Sequence, residues 1–520
     1  MTRPIVFRYS QFNLDALLGL ASGLRKQACT CDESKPPLAG SLNWVIFVSF
    51  GDSVEWVFRS PHSGRRAFLS EGYTSRTLAS EVATLKYVKK YSSIPVPDIF
   101  AYSASRDNDI GVPYILMSKA PGHPLSRYDW LQPPDQPPPK CNLGKPARPL
   151  SDESKQKVMS QLGAIASQLS RLRFDKIGSL FQDGAGNYTV GECLSPALTW
   201  QGRDSLGRVD RGPYDDERAY LEALIAAYVS HAQELPLTPH AFFAPIPDPA
   251  EYANWASYRA AAARWNDFVA VGQKIDNSKN RLAFCIAARL MRDMMMPDQA
   301  IQDSTNGFPL GQPDLHLGNI FVDEDLNITC IIDWGSASSV PLAELLAASG
   351  QVLHICGPET TAETHLLTAA FRAGFERTTC SGNPRVVGSD TWARADMVRP
   401  FQRLVRMLST RDYHDFAELY ALACPRRLTG DDEPSRDIPS LFSERARRSE
   451  NRQLLHELGA DDLSRDDVER HERAAFGRPS PASTEKMAVA RKLTLVSEMN
   501  ERFVADRRLW QWIEHFMERP

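Results

Sequence analysis

Three side chains in the middle of the sequence have the types and the spacing needed for phosphoryl transfer. Asp314 is followed five positions later by Asn319, and Asp333 comes fourteen positions after that. In such a reaction a carboxylate orients the attacking hydroxyl, and Mg²⁺, which prefers hard oxygen ligands from few protein groups, bridges the phosphate oxygens. One short segment can therefore supply a base, Asp314, and two metal ligands, Asn319 and Asp333.

The apolar residues around these side chains predict the element that positions them. NIFV and ITCIID read as two strands joined by a turn at 324–327. Such a hairpin anchors the segment in the core and presents the polar atoms at its ends. Taken singly, each of the three residues is equally compatible with an Asx turn or a surface acid. The prediction of a phosphate site therefore rests on the three together.

A second set of charged residues lies upstream, on a predicted hairpin and helix. Two alternating runs, residues 44–50 and 54–59, flank the turn Gly51-Asp52-Ser53 and predict a hairpin that ends at Arg59. TLASEVATLKYVKKY predicts a helix, and Glu81 falls inside its apolar stripe. A carboxylate on that stripe needs a cation, for which Arg59 is the nearest candidate in sequence. Alternatively, Glu81 lies at the edge of the stripe and reaches water.

Other segments outline the rest of the chain. The apolar run VPYILM predicts a strand that leads into a hinge at 118–122. The proline-rich segment 131–149 is incompatible with a helix or a central strand and predicts an exposed insertion. After it, Ser151 followed by acidic residues predicts the start of a helix, and most of the chain to about residue 300 reads as helical.

These motifs together resemble the aminoglycoside phosphotransferase family, which belongs to the larger protein-kinase-like group. That family carries His-Gly-Asp-Leu-His-x-x-Asn followed by Ile-Asp-Trp, and this chain has QPDLHLGN and IIDWG. Upstream, GSLN is similar to the family's nucleotide-positioning loop, WVFR to its cation-bearing strand and LMSKAPG to its hinge. Matching segments occur in the family's order from about residue 38 to 346.

The resemblance implies an α+β, bilobal protein-kinase-like fold that uses ATP and Mg²⁺. It implies a small β-rich N-lobe (1–117), a large mostly helical C-lobe (118–438) and a C-terminal helical extension (439–520). Within the C-lobe, a helical insertion spans about 195–300, and the catalytic and metal loops span 311–338.

Site residues follow from the same resemblance. Asp314 would be the catalytic base, while Asn319 and Asp333 would bind Mg²⁺. The remaining family positions correspond to nucleotide-binding residues, namely Gly40, Ser41, Asn43, the ion pair Arg59 and Glu81, and the hinge backbone at Ser118 and Ala120.

Two departures from the family pattern leave a second function class open. Gln312 stands where the family has a bracing histidine, and Arg59 stands where it has a lysine, although a guanidinium and an ammonium are not equivalent.

The leading interpretation is an enzyme that transfers the γ-phosphate of ATP to a hydroxyl of a small molecule. The alternative is a weakly active or inactive kinase-like module that binds a nucleotide or a partner. A protein kinase is disfavoured, because SVPLAELL follows Asp333 too closely for a long activation segment.

The composition of the chain is compatible with a small-molecule phosphotransferase and argues against nucleic acid and membranes as partners. Lysine and arginine number 60 against 64 acidic residues, a net charge of −4 that predicts no bulk attraction to nucleic acid or an anionic membrane. The nine cysteines have no pair of motifs at zinc-ligand spacing, and Cys285, Cys330 and Cys424 read as buried thiols. With neither a signal-peptide core nor a long apolar run, we expect a cytoplasmic protein. The sequence leaves the acceptor and the oligomeric state open.

Overall fold

The computed structural model describes most of the chain and divides it into two compact units. The described residues are 4–64, 67–130, 148–237, 240–243, 277–296, 307–347, 362–379, 387–407, 412–424, 438–464, 466, 467 and 470. The first unit comprises Met1–Gln136, Ala147–Tyr220 and Gln302–Ala395, and the second comprises Pro137–Pro146, Leu221–Ile301 and Asp396–Pro520. The predicted lobe boundaries at 117 and 438 stay a prediction, and most of the proline-rich segment lies outside the described residues.

The described elements are mixed, with strands concentrated towards the N-terminus and helices towards the C-terminus. The strands are β1 (Cys29–Thr30), β2 (Leu38–Ala39), β3 (Asn43–Phe50), β4 (Glu55–Pro61), β5 (Ile99–Ser103), β6 (Tyr114–Ser118), β7 (His123–Pro124), β8 (Tyr128–Asp129), β9 (Arg148–Pro149), β10 (Arg173–Phe174), β11 (Leu180–Gln182), β12 (Tyr188–Val190), β13 (Phe308–Gly311), β14 (Ile320–Val322), β15 (Ile328–Ile331) and β16 (Ser338–Ser339). The α-helices are α1 (Leu14–Arg25), α2 (Glu71–Tyr91), α3 (Asp152–Leu169), α4 (Pro196–Thr199), α5 (Glu217–Glu234), α6 (Ser278–Met295), α7 (Leu342–Ala347), α8 (Ala362–Thr379), α9 (Ser389–Arg406), α10 (Asp412–Ala423), α11 (Ile438–Ala446) and α12 (Ser449–Leu458). The predicted α+β class is confirmed, with the β-rich part first.

The N-terminal sheet is antiparallel and is built around the predicted hairpin. Its strand order is β1-β3-β4-β6-β5, with β2 also paired to β3. Buried and half-buried residues alternate along β3 and β4, so each strand presents one set of side chains to either face of the sheet. Arg59 lies opposite Val45 in this register and next to Phe58, so Arg59 and Phe58 point to opposite faces.

A different helix covers each face of the sheet. Leu17 and Ala21 of α1 pack in one cluster with Trp44, Phe58 and other strand residues. Leu78 and Val82 of α2 pack in another cluster with Ile115 and Met117 of β6. Burying a large apolar side chain contributes roughly 1.5–3 kcal/mol, so both faces stabilise the sheet. Since Phe58 faces α1, the alternation of β4 turns Arg59 towards α2, the helix that carries Glu81.

The hairpin predicted from NIFV and ITCIID is formed by β14 and β15 and is braced by α3. Strands β14 and β15 pair antiparallel, with Ile320 opposite Ile331, and β7 pairs with the other edge of β14. The side-chain amide of Gln161 on α3 donates to the carbonyl of Leu326 over 2.9 Å and accepts from the N–H of Ile328 over 2.9 Å. Ser151 caps α3 by accepting from the N–H of Ser154, as predicted.

Helices α3 and α8 cross with backbone against backbone. A Cβ atom added to Gly163 of α3 would lie 2.0 Å from the carbonyl oxygen of Phe371, and one added to Gly374 of α8 would lie 2.0 Å from that of Ser160. Only a residue without a side chain fits at either position, because real Cβ contacts under 3.0 Å essentially never occur. The two glycines therefore set the distance between the helices.

We expect the substitution Gly163→Ala to destabilise the protein. Alanine is favoured over glycine in a helix by about 1 kcal/mol. Overpacking typically costs about 1–3 kcal/mol, and the clash here is with backbone, so we expect the loss to outweigh the gain. Urea unfolding measures the difference. The matched control is Gly19→Ala in α1, where an added Cβ meets nothing within 4 Å and stability should rise. A G163A variant as stable as G19A would contradict the close crossing.

The described helices of the second unit pack around an aromatic cluster. Phe242 contacts the rings of Phe284, Phe416 and Phe442, with centroid separations of 5.3, 5.6 and 5.1 Å. Among the described residues, no helix is both long and apolar enough to cross a membrane.

The three cysteines predicted to be buried differ in their environment. Cys285 and Cys330 are buried as predicted, but the prediction for Cys424 is wrong, because this residue is exposed. Cys424 follows the last residue of α10, so its thiol is not part of the buried face of that helix.

Candidate active site

The segment from Gln312 to Asn319 lies between β13 and the β14–β15 hairpin. Hydrogen bonds within the segment, and one from the end of the hairpin, hold its shape. The N–H of Asn319 donates to the carbonyl of His316 over 2.9 Å, and the N–H of Ile332 donates to the carbonyl of Asn319 over 3.0 Å. His316 also accepts at Nδ1 from the N–H of Gly318 over 3.0 Å. Burial lowers the pKa of His316, so this imidazole is neutral and shapes the loop.

Gln312 braces the loop at the position where the family has histidine. Its amide nitrogen donates to the carbonyl of Asp333 over 2.5 Å, and its amide oxygen accepts from the N–H of Asp314 over 3.2 Å. Only 3% of the residue is exposed, so water does not compete for these bonds. A single side chain thus ties the backbone of Asp314 to that of Asp333, and the first departure from the family pattern keeps the bracing geometry.

Asn319 and Asp333 are presented in ways that suit a metal ligand. The amide nitrogen of Asn319 donates to the carbonyl of Asp314 over 2.9 Å, which leaves its amide oxygen for another partner. Asp333 has φ +61°, in the left-handed region that L-residues other than glycine adopt rarely. Such strain is concentrated at functional sites, where the surrounding structure enforces it. The side chain of Asn319 is therefore bonded to the backbone of Asp314, and Gln312 connects that backbone to the backbone of Asp333.

Arg59 and Glu81 form the predicted ion pair, and Asp333 joins it. One guanidinium nitrogen, Nη2, pairs with Glu81, and the other, Nη1, lies 3.4 Å from Oδ1 of Asp333. Glu81 also accepts from the N–H of Trp334 over 3.2 Å. Burial opposes the charge of Arg59, yet the carboxylates of Glu81 and Asp333 raise its pKa. Glu81 is 3% exposed. The sequence left open whether this residue is paired with a cation or reaches water, and the structure shows a buried, paired Glu81.

The predicted nucleotide-positioning loop is held by a histidine that the sequence did not single out. The N–H of Gly40 donates to the carbonyl of Asn43 over 2.9 Å, and the N–H of His62 donates to that of Leu42 over 2.9 Å. The Nε2 atom of His62 lies 3.1 Å from the carbonyl oxygen of Gly40. Gly40 and Ser41 are exposed, whereas Asn43 is half-buried at the start of β3. A lone histidine after a strand gives no signal in the sequence.

The hinge offers backbone atoms at the two predicted positions. At Ser118 the N–H donates to the carbonyl of Asp98 over 2.8 Å, and the hydroxyl accepts from the N–H of Asp98 over 2.8 Å. Within the described chain, no residue hydrogen-bonds to the N–H of Ala120. Gly122, at φ +82°, closes the hinge against β14, where an added Cβ would lie 2.2 Å from the carbonyl oxygen of Val322.

A pocket brings several of the predicted residues to one open space. Asn43, Arg59, Glu81 and Asp333 all line it. Its apolar wall includes Phe68, Leu69, Leu78, Leu194 and Trp200. The predicted residues Gly40, Ser41, Ser118, Ala120, Asp314 and Asn319 do not line this pocket. The structure thus gathers the ion pair and one predicted metal ligand, Asp333, at this pocket.

The segment after β12 fixes the N-terminal end of α2, an arrangement that the sequence did not predict. The carboxylate of Asp204 accepts from the N–H of Ser70 over 2.7 Å, and Ser70 caps α2 without a side-chain bond of its own. Glu192 forms an ion pair with Arg76 on the same helix. Residues more than one hundred positions away therefore hold the helix that carries Glu81.

The donor set fits Mg²⁺ better than a metal that needs several side chains. In the described ranges, no group of three or more His, Cys, Asp or Glu residues could hold a metal ion. Asn319 and Asp333 would provide one amide and one carboxylate oxygen. Mg²⁺ is usually bound by one or two carboxylates together with substrate phosphates and water, so a small set of oxygen ligands suffices.

Comparison with known proteins gives partial matches in sequence. No family model matches the chain. A subtelomeric hrmA-associated cluster protein of Aspergillus fumigatus is 29% identical over 147 residues, which cover 26% of this chain and 25% of that protein. The altered inheritance of mitochondria protein 9 of Meyerozyma guilliermondii is 26% identical over 146 residues, covering 28% and 20%. The match thus spans a quarter or less of the length of these relatives.

Several solved structures to which the chain is similar are phosphotransferases or kinases. A type I macrolide 2′-phosphotransferase is 12% identical, with a TM-score of 0.35, and covers 86% of this chain and 97% of that one. A putative fructosamine-3-kinase from Thermobifida fusca is 12% identical, with a TM-score of 0.41 and coverages of 79% and 98%. Amicoumacin kinase, in complex with AMP-PNP, Ca²⁺ and Ami, is 14% identical, with a TM-score of 0.36 and coverages of 79% and 92%.

Proposed function

We propose that this protein is an ATP- and Mg²⁺-dependent phosphotransferase that acts on a hydroxyl group of a small molecule. One observation carries the proposal. Through Gln312 and Asn319, hydrogen bonds tie Asp314 and Asp333 into one rigid segment, and Arg59 connects Asp333 to Glu81. A base, two metal ligands and a phosphate-binding cation thus belong to a single connected network, which is the set that phosphoryl transfer requires.

Each residue has a role that follows from its chemistry. Asp314 accepts the proton of the attacking hydroxyl, and its backbone is fixed on both sides, so the carboxylate starts from a set position. Asn319 and Asp333 would hold Mg²⁺, which supplies positive charge against the phosphate oxygens. Arg59, oriented by Glu81, binds the same phosphates, and the backbone of Ser118 and Ala120 positions adenine. The Gly40–Asn43 loop, fixed by His62, covers the nucleotide.

The acceptor is to be found by screening for transfer itself. We expect ATP labelled at the γ-phosphate to pass its label to a small molecule when the protein is incubated with Mg²⁺ and a metabolite extract. The labelled product is then separated and identified. The control is the same incubation with the Asp314→Asn variant, which should give only the background. Labelling of equal intensity with both proteins would contradict the proposal.

The contact between Arg59 and Asp333 favours one alternative function. A guanidinium lies against a predicted metal ligand, as expected of a kinase-like protein that binds nucleotide without transferring phosphate. A thermal-shift titration with Mg-ATP, followed by an assay for ADP release over a broad panel of acceptors, separates the two functions. Stabilisation without turnover supports the binding module, whereas turnover supports the enzyme.

A further inference from the structure

Arg59 divides its guanidinium between two carboxylates that differ in environment. Nη2 pairs with Glu81, whose side chain is 4% exposed, and Nη1 faces Asp333, whose side chain is 28% exposed. The 3.4 Å separation to Asp333 is long for a charge-assisted hydrogen bond, which normally measures about 2.7–2.9 Å. Arg59 therefore holds Glu81 closely in a buried environment, whereas its contact with Asp333 is longer and more exposed.

The choice of arginine makes this division possible. A guanidinium presents several donors in a fixed fork and can hold two carboxylates at once, whereas an ammonium is a compact single charge. Glu81 is held from its other side by the N–H of Trp334, the residue that follows Asp333. The fork of Arg59 therefore spans from α2 to the end of the β14–β15 hairpin.

The negative charge around Asp333 is too small to balance Arg59 and a divalent cation at the same time. Glu81 and Asp333 contribute two negative charges, and Arg59 neutralises one of them. A divalent cation placed on Asp333 while Nη1 remains there would set like charges against each other within a few ångströms, which is unfavourable. Asp333 can therefore serve Arg59 or a metal ion fully, but not both.

We propose that Arg59 is an internal counter-cation that occupies Asp333 in the nucleotide-free protein and releases it when phosphate groups bind Nη1. This inference rests on the proposed function. It means that Arg59 opposes metal binding to the free protein and makes metal binding depend on the nucleotide. By reciprocity, the metal strengthens nucleotide binding by the same factor. The open pocket that borders Arg59, Glu81 and Asp333 gives the phosphates access to the guanidinium.

The test measures Mn²⁺ binding, with the paramagnetic signal of free Mn²⁺ as the readout and no turnover required. The nucleotide-free wild-type protein is compared with Arg59→Lys, in which the remaining ammonium pairs with Glu81. We expect Mn²⁺ to bind the variant about tenfold more tightly, a typical size for coupling between sites. The matched control is Arg25→Lys, because Arg25 holds Asp52 on the surface with bonds of 2.8 and 2.7 Å, far along the chain from the site. This control should leave the Mn²⁺ affinity unchanged.

A second measurement uses the wild-type protein alone, so the outcome does not depend on the folding of the variant. Adding ADP should increase Mn²⁺ binding beyond the amount that the same ADP chelates in buffer without protein, and in a crystal structure with Mn²⁺ and ADP the Nη1 atom should lie beyond about 4 Å from Asp333, the usual limit for an ion pair. Equal Mn²⁺ affinities for the wild type and a folded R59K variant would overturn the inference, as would a retained contact beside bound Mn²⁺. Failure of the wild type to bind Mn²⁺ even with ADP would overturn the proposed function as well.

Discussion

Replacing Asp314 by Asn is expected to lower the turnover number for phosphoryl transfer by about 10²- to 10⁴-fold, the usual contribution of general base catalysis. An asparagine keeps the shape of the side chain and the two backbone bonds, from the N–H of Asp314 to Gln312 and from Asn319 to its carbonyl. It cannot accept a proton at neutral pH. Stabilisation by Mg-ATP in a thermal-shift titration should therefore remain while release of ADP in the presence of an acceptor falls.

A nearby aspartate serves as the matched control for this substitution. Asp325 is exposed in the turn between β14 and β15. Asp325→Asn therefore makes the same chemical change without touching the predicted site. We expect D325N to retain wild-type turnover. Turnover in D314N equal to that in D325N would remove the catalytic role of Asp314.

Replacing Asp333 by Asn is expected to lower the catalytic efficiency at limiting Mg²⁺ by at least about 100-fold. Mutating a residue that only orients a metal ligand typically lowers metal affinity or activity by about 10- to 100-fold. Asp333 would be a ligand itself, so we expect a loss at the upper end of this range or beyond it. Asparagine tolerates the left-handed region better than most residues, so the backbone at φ +61° should be kept. The measurement is the dependence of turnover on Mg²⁺ concentration, which should shift to higher concentrations.

Thermal unfolding separates a local from a global effect of this substitution. The D333N variant would lose the charge that faces Arg59, but the ion pair between Arg59 and Glu81 would stay. We therefore expect the melting temperature to change little. An unaltered Mg²⁺ dependence in a folded D333N variant would exclude Asp333 as a metal ligand.

Local patterns predicted the elements that position the candidate site. Alternation along β3 and β4 identified the hairpin that ends near Arg59, and the apolar stripe identified α2. The two strands on either side of the turn at 324–327 could also be predicted, because a hairpin and its turn lie within one short window of sequence. The same stripe contained Glu81 and made Arg59 the nearest candidate cation, although a Glu81 that reaches water stayed equally open until the structure showed the ion pair.

Contacts between distant residues were beyond the reach of the sequence. The cap of α2 by Asp204 and the bond from His62 to the Gly40 loop join segments with no shared pattern. The second partner of Arg59 is of the same kind, because it depends on the register of β4 against the end of the β14–β15 hairpin. The family resemblance named the residues of the site, but it did not indicate that a guanidinium would lie against Asp333.

The crossing of α3 and α8 has a consequence for genetics. Each glycine meets only main-chain atoms of the opposite helix, so neither partner can shrink to make room when the other gains a methyl group. Second-site suppressors of damage at Gly163 should therefore not arise at the facing residues Phe371 and Phe375. They should map instead to the ends of the two helices, where a shift of the whole element can restore the spacing.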